Sequence, residues 1–219
     1  MTDLLFMSYY PLFFLLPVAY IIGSIPFGVI ISRGKGIDLT KSGSKNIGAT
    51  NVLRTSGKVP ALLTLAGDSL KGAVAVLLCR YVITSFQVAE SSGTSVYNSE
   101  VWEGLVGLIV VLGHIFSVFM SFRGGKGVAT SFGVLAVYSP LQAFMAFLVW
   151  VLTAVTLRYS SLSAVFSFIS LPFIYFFFGA SDVKIYFGII LGVLIVLRHR
   201  TNIHKLIKRT EPRIGNSVK

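Results

Sequence analysis

Long runs without a charged residue are the feature that most restricts how this 219-residue chain can fold. About 20 apolar residues suffice for a helix to cross the hydrocarbon core of a bilayer. Uncharged runs of about that length, the last one shorter, are Leu4–Ser32, Gly104–Phe122, Val128–Leu157, Tyr159–Ser181 and Ile185–Leu197. A further stretch, Val59–Ala89, is apolar except for Asp68, Lys71 and Arg80, and is predicted to be one span with a polar or broken beginning. The pattern predicts an all-α integral membrane protein.

Composition excludes a water-soluble globular domain. Only 12% of the residues are charged and 54% are hydrophobic, with a mean hydropathy of +0.81. Soluble chains carry about 25% charged residues. Since no polar stretch is long enough for a second, soluble domain, we expect one membrane-embedded domain over residues 1–219.

The run Val128–Leu157 decides the number of spans. Its 30 residues are long for one crossing and short for two. Ser139 and Pro140 lie near its middle, and the residue before a proline is biased away from helix. Two helices that meet at Ser139–Pro140 give about seven spans in total, whereas one continuous helix gives six.

The distribution of basic residues favours seven spans. With seven, 16 of the 19 lysines and arginines lie in loops or the tail on one side. Six spans would place Arg158 and the basic C-terminal tail on the opposite side from Arg123–Lys126. Because cytoplasmic loops carry the excess of lysine and arginine, we predict that the N-terminus is outside and the C-terminus cytoplasmic.

The net charge of +11 does not indicate nucleic acid binding. The basic residues occupy short loops and the aromatic residues occupy the apolar spans, whereas a groove for single strands mixes the two. The single cysteine, Cys79, excludes a disulfide framework. Three scattered histidines and few acids give no ligand cluster, so no metal site is expected.

The first loop on the basic side is rich in small polar residues. It reads Ser42-Gly-Ser-Lys-Asn-Ile-Gly-Ala-Thr-Asn-Val-Leu-Arg54. Backbone amides and hydroxyl groups at this density can surround a compact polar ligand, and the planar guanidinium of Arg54 suits a phosphate. An ordinary flexible loop is the alternative.

The second basic loop is Arg123-Gly-Gly-Lys-Gly127. Successive glycines can turn their amides toward one point and form an anion nest, to which Lys126 adds a charge. A helix beginning near Val128 would add the positive end of its dipole. The loop is not a Walker A motif, because no serine or threonine follows the Gly-Lys pair. A tight turn with a snorkelling lysine is the simpler alternative.

The third basic segment is the tail from Leu197 to Glu211. Within it, His199 and Asn202 are three residues apart and would share a helical face. A basic helix that lies on anionic lipid fits the same pattern. Together the basic segments bring phosphate-binding chemistry to one membrane face, which favours a phosphorylated substrate met at the lipid surface.

Polar residues within the spans leave a second class of function open. His114 requires a partner inside the membrane, and Asp68 and Lys71 are spaced to pair on one helix face. A transporter or channel for a phosphorylated solute is the alternative function. It would need polar residues along a path through the membrane, and these three are few for that purpose.

Several separated motifs occur in a fixed order along the chain. They are Gly23-Ser-Ile-Pro-Phe-Gly28, Asn46-Ile-Gly-Ala-Thr-Asn-Val-Leu-Arg54, Asp68-Ser-Leu-Lys-Gly72, Gly113-His-Ile-Phe-Ser-Val-Phe119 with Gly124-Gly-Lys-Gly127, Tyr159-Ser-Ser-Leu162, and Arg198-His-Arg-Thr-Asn-Ile203 with Glu211. This series closely resembles the bacterial acyl-phosphate:glycerol-3-phosphate acyltransferases, the PlsY-type enzymes. The resemblance covers about Ile22 to Glu211.

The resemblance implies transfer of a fatty acyl group from acyl phosphate to the 1-hydroxyl of glycerol 3-phosphate. The products would be 1-acylglycerol 3-phosphate (lysophosphatidate) and phosphate, in the first step of phospholipid synthesis, without a cofactor. It also implies a multi-pass protein of the bacterial cytoplasmic (inner) membrane, in contact with membrane lipid, with its site facing the cytoplasm. The His-x4-Asp signature of other glycerolipid acyltransferases is absent.

The resemblance also assigns residues to the site. The catalytic set is Ser44, Arg54, Lys126, His199 and Asn202, and the substrate-binding set is Thr50, Asn51, Gly124, Gly125, Gly127 and Ser161. Glu211 is expected to support the tail. The chain departs from the family pattern at three positions, where Lys45 replaces a glycine, Ser117 a proline and Arg123 a lysine, and the first leaves the turn around Ser44 open.

The proton acceptor remains open at this stage. His199 is a possible general base, and a phosphate oxygen of the acyl donor could serve instead. A covalent acyl-serine on Ser44 or Ser161 is disfavoured, because no Ser-His-Asp set is apparent.

Overall fold

The computed structural model describes residues 2–89 and 98–215, and these two ranges are helical without any strand. Residues 90–97, which the seven-span topology places in an outer loop, lie outside the described residues. The helices are α1 Thr2–Ser24, α2 Phe27–Arg33, α3 Ala49–Thr55, α4 Lys58–Ala89, α5 Ser99–Ile115, α6 Val128–Tyr138, α7 Pro140–Leu157, α8 Ser160–Phe177, α9 Asp182–Arg198 and α10 Arg200–Ile207. A 3-10 turn, Val118–Met120, follows α5. The predicted all-α class is confirmed.

The outer surface of the bundle is apolar, as a bilayer requires. Large side chains such as Val155, Phe173 and Phe176 are exposed on it, and a soluble monomer rarely exposes so much contiguous apolar area. Within the described ranges, five helical segments are long and apolar enough to cross a membrane: Leu12–Arg33, Lys58–Ser85, Ser99–Met120, Pro140–Leu157 and Ser160–Phe177. The shorter α6 has 11 residues, a length of roughly 16 Å, and α9 has 17.

The first apolar run is divided into two helices. Sequence reasoning treated Leu4–Ser32 as one uninterrupted span, whereas the helix stops at Ser24 and resumes at Phe27. Pro26 causes the break, because it lacks an amide hydrogen and disfavours helix at the residue before it. By contrast, α4 runs unbroken past Asp68, Lys71 and Arg80, so its beginning is polar but not broken.

The hinge predicted at Ser139–Pro140 is present. Tyr138 ends α6, Ser139 adopts an extended φ of −153°, and Pro140 opens α7. Proline fits this first helical position because its missing amide would have no partner there. The chain therefore turns back at the hinge, and the start of α6 and the end of α7 lie toward the same end of the bundle.

Close contacts between backbones bring α4 and α6 together. A β-carbon on Gly133 would lie 1.8 Å from the Ser69 carbonyl oxygen, and one on Gly72 would lie 2.2 Å from that of Thr130. Small residues allow such approaches between membrane helices. The buried apolar core includes Val110, Val134, Phe168 and Leu191, contributed by α5, α6, α8 and α9.

Hydrogen bonds and an ion pair join three helices at the end of the bundle that contains the hinge. Arg80 and Glu103 form a bidentate ion pair, with Nη2–Oε2 at 2.7 Å and Nε–Oε1 at 3.0 Å. Arg80 also donates to the Val137 carbonyl at 3.0 Å, and the Tyr138 hydroxyl donates to that of Glu100 at 3.0 Å. These bonds tie α4, α5 and α6 at the hinge.

Candidate active site

A cavity of about 610 Å³ opens where the starts of several helices converge. Its polar end is lined by the first loop, the start of α6, the start of α8 and the tail. The polar lining residues in this part are Ser44, Asn46, Thr50, Asn51, Arg54, Lys126, Ser160, Ser161, His199, Asn202, Lys205 and Glu211. An apolar limb continues between α6 and α7 past Phe132, Ala136, Pro140, Ala143, Phe144, Phe147 and Trp150. The cavity therefore joins a polar, largely cationic end to a hydrophobic groove.

The buried side chain of Asn51 organises the first loop. Its carboxamide oxygen accepts from the Ser44 amide at 2.8 Å, and its nitrogen donates to the carbonyls of Ser42 (3.2 Å) and Asn46 (2.7 Å). These three bonds fix the turn that presents Ser44 to the cavity. Lys45 occupies this turn with a φ of 59°, a conformation that glycine would adopt at less cost. The turn around Ser44 is therefore formed with the lysine in place.

Helix α3 brings two further predicted residues to the cavity wall. The Thr50 hydroxyl lies 3.2 Å from that of Ser160, which joins α3 to the start of α8. The Arg54 guanidinium reaches the tail, where Nη2 lies 3.5 Å from the Pro212 carbonyl oxygen. The first loop and the tail thus meet across the cavity mouth.

The glycine loop differs from the predicted anion nest. The Gly124 and Gly125 amides donate to the carbonyls of Ile115 and His114, each at 3.0 Å, and neither glycine lines the cavity. Because their amides are occupied, the expected nest at these two positions is wrong. Gly127 does line the cavity, with a φ of 86° at the start of α6.

The starts of α6 and α8 nevertheless favour an anion in the cavity. Among the described residues, neither helix has a side chain that caps its first amides. The first amides of a helix have no partner within it, and they carry the positive end of the helix dipole. Val128, Ala129, Ser160 and Ser161 line the wall at these two points. A phosphate group would be stabilised there.

Lys126 extends from the glycine loop toward the tail. Its ammonium contacts the Asn202 carboxamide oxygen. Asn202 in turn donates to Glu211 Oε1 at 2.7 Å, and the Ser161 hydroxyl donates to the same oxygen at 2.7 Å. Four residues from three separate segments thus form one hydrogen-bonded network.

Burial and neighbouring charges shift the protonation of Lys126. Burial is the main cause that lowers the pKa of its ammonium to about 8; Glu211 opposes this shift, and the charges of Lys205 and Arg54 add to it. Near neutral pH the side chain is mostly protonated, so it supplies a positive charge for an anionic ligand.

His199 lies between α9 and α10 and is almost fully buried. Its Nδ1 lies 2.7 Å from the Ile195 carbonyl oxygen, so Nδ1 carries the proton and Nε2 has the free lone pair when the ring is neutral. Burial, assisted by the charge of Lys126, lowers the pKa of His199 to about 4. The imidazole is therefore neutral at pH 7.

A family model described as glycerol-3-phosphate acyltransferase matches residues 13–209. The chain belongs to this family. A relative of that name in Laribacter hongkongensis is 43% identical over 207 residues, which cover 93% of this chain and 96% of the relative. Another in Neisseria meningitidis is 41% identical over 199 residues, which cover 90% and 94%.

The fold is similar to that of two crystal structures of PlsY (YgiH), described as an integral membrane glycerol 3-phosphate acyltransferase. One is the glycerol 3-phosphate form and the other the lysophosphatidic acid form. Both are 38% identical to this chain and cover 94% of it and 96% of their own length, with TM-scores of 0.82 and 0.80. The chain is an integral membrane member of the family.

Most of the predicted site residues meet at the cavity. Those that line it are Ser44, Thr50, Asn51, Arg54, Lys126, Gly127, Ser161, His199 and Asn202. Sequence reasoning placed Glu211 only in support of the tail, whereas its carboxylate accepts from Ser161 and Asn202 within the site. The sequence also gives Asp68 and His114 no role in the site, although both line the inner wall of the cavity. Their position inside apolar spans was the signal that marked them.

Proposed function

We propose that this protein transfers a fatty acyl group from acyl phosphate to the 1-hydroxyl of glycerol 3-phosphate. The products are 1-acylglycerol 3-phosphate and phosphate, and the reaction begins phospholipid synthesis. The observation that carries the proposal is the single cavity in which a cationic end meets an apolar groove. Such a cavity suits two phosphorylated substrates, of which one carries a hydrocarbon chain. We assign the activity to one domain over residues 1–219.

Glycerol 3-phosphate is assigned to the polar end. Lys126, Arg54 and Lys205 line it together with the first turns of α6 and α8, and this set can neutralise a dianionic phosphate. Support comes from the PlsY structure in its glycerol 3-phosphate form, which has a similar fold. We assign phosphate binding chiefly to Lys126, whose ammonium belongs to the network with Asn202.

The acyl chain of the donor is assigned to the groove between α6 and α7. Phe132 packs edge-to-face on Phe147, with ring centroids 5.9 Å apart, and Phe147 stacks on Trp150 at 6.3 Å. Phe144 and Phe147, which line the groove, are about half exposed, and we assign their exposed side to the bilayer. The groove is therefore open along its side, so a lipid tail can enter from the membrane.

The reaction needs little chemical help, because an acyl phosphate is already an activated carbonyl compound. The acceptor hydroxyl oxygen bonds to the carbonyl carbon, and the carbon–oxygen bond to phosphate breaks with its electron pair leaving on phosphate. The hydroxyl proton ends on the departing phosphate, so no net base is consumed. Lys126, Arg54 and the helix amides hold the two anions close and stabilise the developing negative charge.

His199 is assigned to orient the acceptor hydroxyl. Its Nε2 lone pair can accept the hydroxyl hydrogen bond, since Nδ1 is fixed on the Ile195 carbonyl. A pKa of about 4 makes the imidazole a weak base, so we assign final acceptance of the proton to the donor phosphate. Ser161 donates to Glu211, and we assign it, with Ser44 and Thr50, to binding rather than to a covalent acyl-enzyme.

The activity is tested by phosphate release from acyl phosphate by the purified protein. We expect release that depends on glycerol 3-phosphate and that yields 1-acylglycerol 3-phosphate in equal amount. Replacing acyl phosphate with acyl-CoA is expected to abolish turnover. Comparable rates with acyl-CoA would overturn the donor assignment, and phosphate release without the acceptor would overturn the transfer reaction.

The three polar residues on which the transporter alternative depends contact one another. Lys71 Nζ lies 2.8 Å from Asp68 Oδ1, and His114 Nδ1 lies 3.5 Å from the same oxygen. The pairing of Asp68 with Lys71 was predicted from their spacing and is confirmed. Since the three side chains are engaged with one another inside the bundle, they do not form a ladder of free polar groups across the membrane.

We further propose seven spans in the bacterial inner membrane, with the site facing the cytoplasm. Lys126 and Ser160 line the same cavity, which supports placing the basic loops before α6 and after α7 on one side. In a Cys79→Ala background, Ser121→Cys and Ser217→Cys are expected to react with a membrane-impermeant thiol reagent only after cell lysis. Ser95→Cys should react in intact spheroplasts. Opposite labelling of Ser121→Cys and Ser217→Cys would contradict this topology.

A further inference from the structure

Three ionisable side chains buried within the bundle have no part in the reaction described above. Asp68, Lys71 and His114 are each at most 4% exposed. Lys71 contacts Asp68 and also donates to the Ile25 carbonyl at 2.9 Å, at the break between α1 and α2. Buried ion pairs are costly, especially inside a membrane, so a group of this kind needs a role that apolar side chains could not fill.

The other side of His114 lies directly against the glycine loop. Its carbonyl accepts the Gly125 amide at 3.0 Å. A β-carbon on Gly125 would lie 2.1 Å from His114 Nε2, whereas one on Gly124 would lie 2.0 Å from the His114 carbonyl oxygen. Gly125 therefore packs against the imidazole ring as well as bonding to the His114 carbonyl, whereas Gly124 packs against the main chain of His114 and Ile115.

Arg198 holds the loop from a second direction. Its Nη2 donates to the Gly125 carbonyl at 3.2 Å, and its guanidinium lies 5.5 Å from the centroid of the Phe116 ring. Gly125 is thus fixed both by His114 and by Arg198. Lys126 is the next residue, and its ammonium contacts Asn202.

We propose that His114 is a positioning residue for glycerol 3-phosphate binding, and that Asp68 and Lys71 hold its ring in place. The ring sets how closely the glycine loop approaches α5. Through the loop it sets the position of the Lys126 ammonium. The proposal rests on the assignment of Lys126 to the acceptor phosphate. It predicts that disturbing the ring changes the KM for glycerol 3-phosphate far more than kcat.

The test is a rescue of one glycine variant by a smaller residue at position 114. Gly125→Ala is expected to raise the KM for glycerol 3-phosphate by roughly 5- to 150-fold, the usual range for over-packing of a tight contact. His114→Ala removes the colliding ring. We expect the KM for glycerol 3-phosphate of the double variant Gly125→Ala/His114→Ala to lie within roughly fivefold of that of His114→Ala alone, because residues in contact show non-additive effects.

Gly124→Ala is the matched control. Its new β-carbon would collide with the main chain of His114, which no side-chain substitution can remove. We therefore expect Gly124→Ala to raise the KM for glycerol 3-phosphate by the same factor with and without His114→Ala. Rescue of both glycine variants would indicate general loosening of the bundle and would overturn the proposal, as would rescue of neither.

Asp68→Asn tests the support of the ring without changing its size. We expect a rise of roughly 10-fold in the KM for glycerol 3-phosphate, the lower end of the range for an interaction with a charged group, because His114 Nδ1 and Asp68 Oδ1 are 3.5 Å apart. The kcat and the KM for acyl phosphate should be unchanged. A fall in kcat at constant KM would mean that the buried group acts on the reaction itself, and would overturn the positioning role. If the wild-type protein shows no turnover in the same assay, the proposed function itself is contradicted.

Discussion

Replacing Lys126 with alanine is expected to raise the KM for glycerol 3-phosphate by roughly 10- to 150-fold. The substitution removes a charged donor from a phosphate that is already ionised before the reaction, and one such interaction contributes roughly 1.5–3 kcal/mol. Binding that is equal in the ground state and the transition state changes KM more than kcat. The measurement is steady-state kinetics at saturating acyl phosphate, on protein shown by a thermal melt to remain folded.

Lys126→Arg is the control, because it keeps the positive charge. The wild-type ammonium loses its proton above a pKa of about 8, so kcat/KM for glycerol 3-phosphate should fall as pH rises through 8, by up to roughly tenfold per pH unit. A guanidinium does not deprotonate in this range, so the decline should be absent in Lys126→Arg. If Lys126→Ala lowers kcat and leaves KM unchanged, the lysine acts on the transition state instead.

Glu211→Ala is expected to lower kcat/KM for glycerol 3-phosphate by roughly 100-fold or more. The carboxylate accepts two hydrogen bonds, from Ser161 and Asn202, and each bond to a charged group contributes roughly 1.5–3 kcal/mol. Its removal releases both partners and takes away the acid that sustains the charge of Lys126. Steady-state kinetics with each substrate varied in turn measures the effect.

Two further variants separate the network from the tail as a whole. Glu211→Gln keeps an oxygen acceptor at the same place and should retain more activity than Glu211→Ala. Lys208→Ala changes an exposed residue of the same tail that does not line the cavity, and should have little effect. Equal losses in Glu211→Ala and Lys208→Ala would show that the tail, rather than the carboxylate, is required.

The sequence predicted the helical class and the hinge because both depend on local properties. A proline after Ser139 and the absence of charge over 30 residues are visible without any tertiary contact. The length of α6 was not predictable in the same way, because hydropathy does not show how far a short helix penetrates the bilayer. The break at Pro26 has a local cause, but the uncharged run around it predicts one continuous span.

Position at the cavity was predictable where the side chain itself suits an anion, as for Lys126 and Arg54. Site residues were not predictable where a partner decides the role. The amides of Gly124 and Gly125 could have pointed toward a ligand, and only the nearby carbonyls of His114 and Ile115 show that they do not. Glu211 likewise acquires its role from Ser161, 50 residues away in the chain.

The side opening of the groove between α6 and α7 has a consequence for how this catalyst experiences its substrates. Phe144 and Phe147 are about half exposed. With the proposed reaction and topology, the acyl donor would arrive by diffusion in two dimensions, whereas the acceptor would arrive from solution. The concentration that matters for the donor is then its mole fraction among the surrounding lipids. Adding inert lipid would dilute the acyl donor and leave the concentration of the acceptor unchanged. Membrane growth would dilute the donor in the same way, and so would slow the synthesis of new lipid.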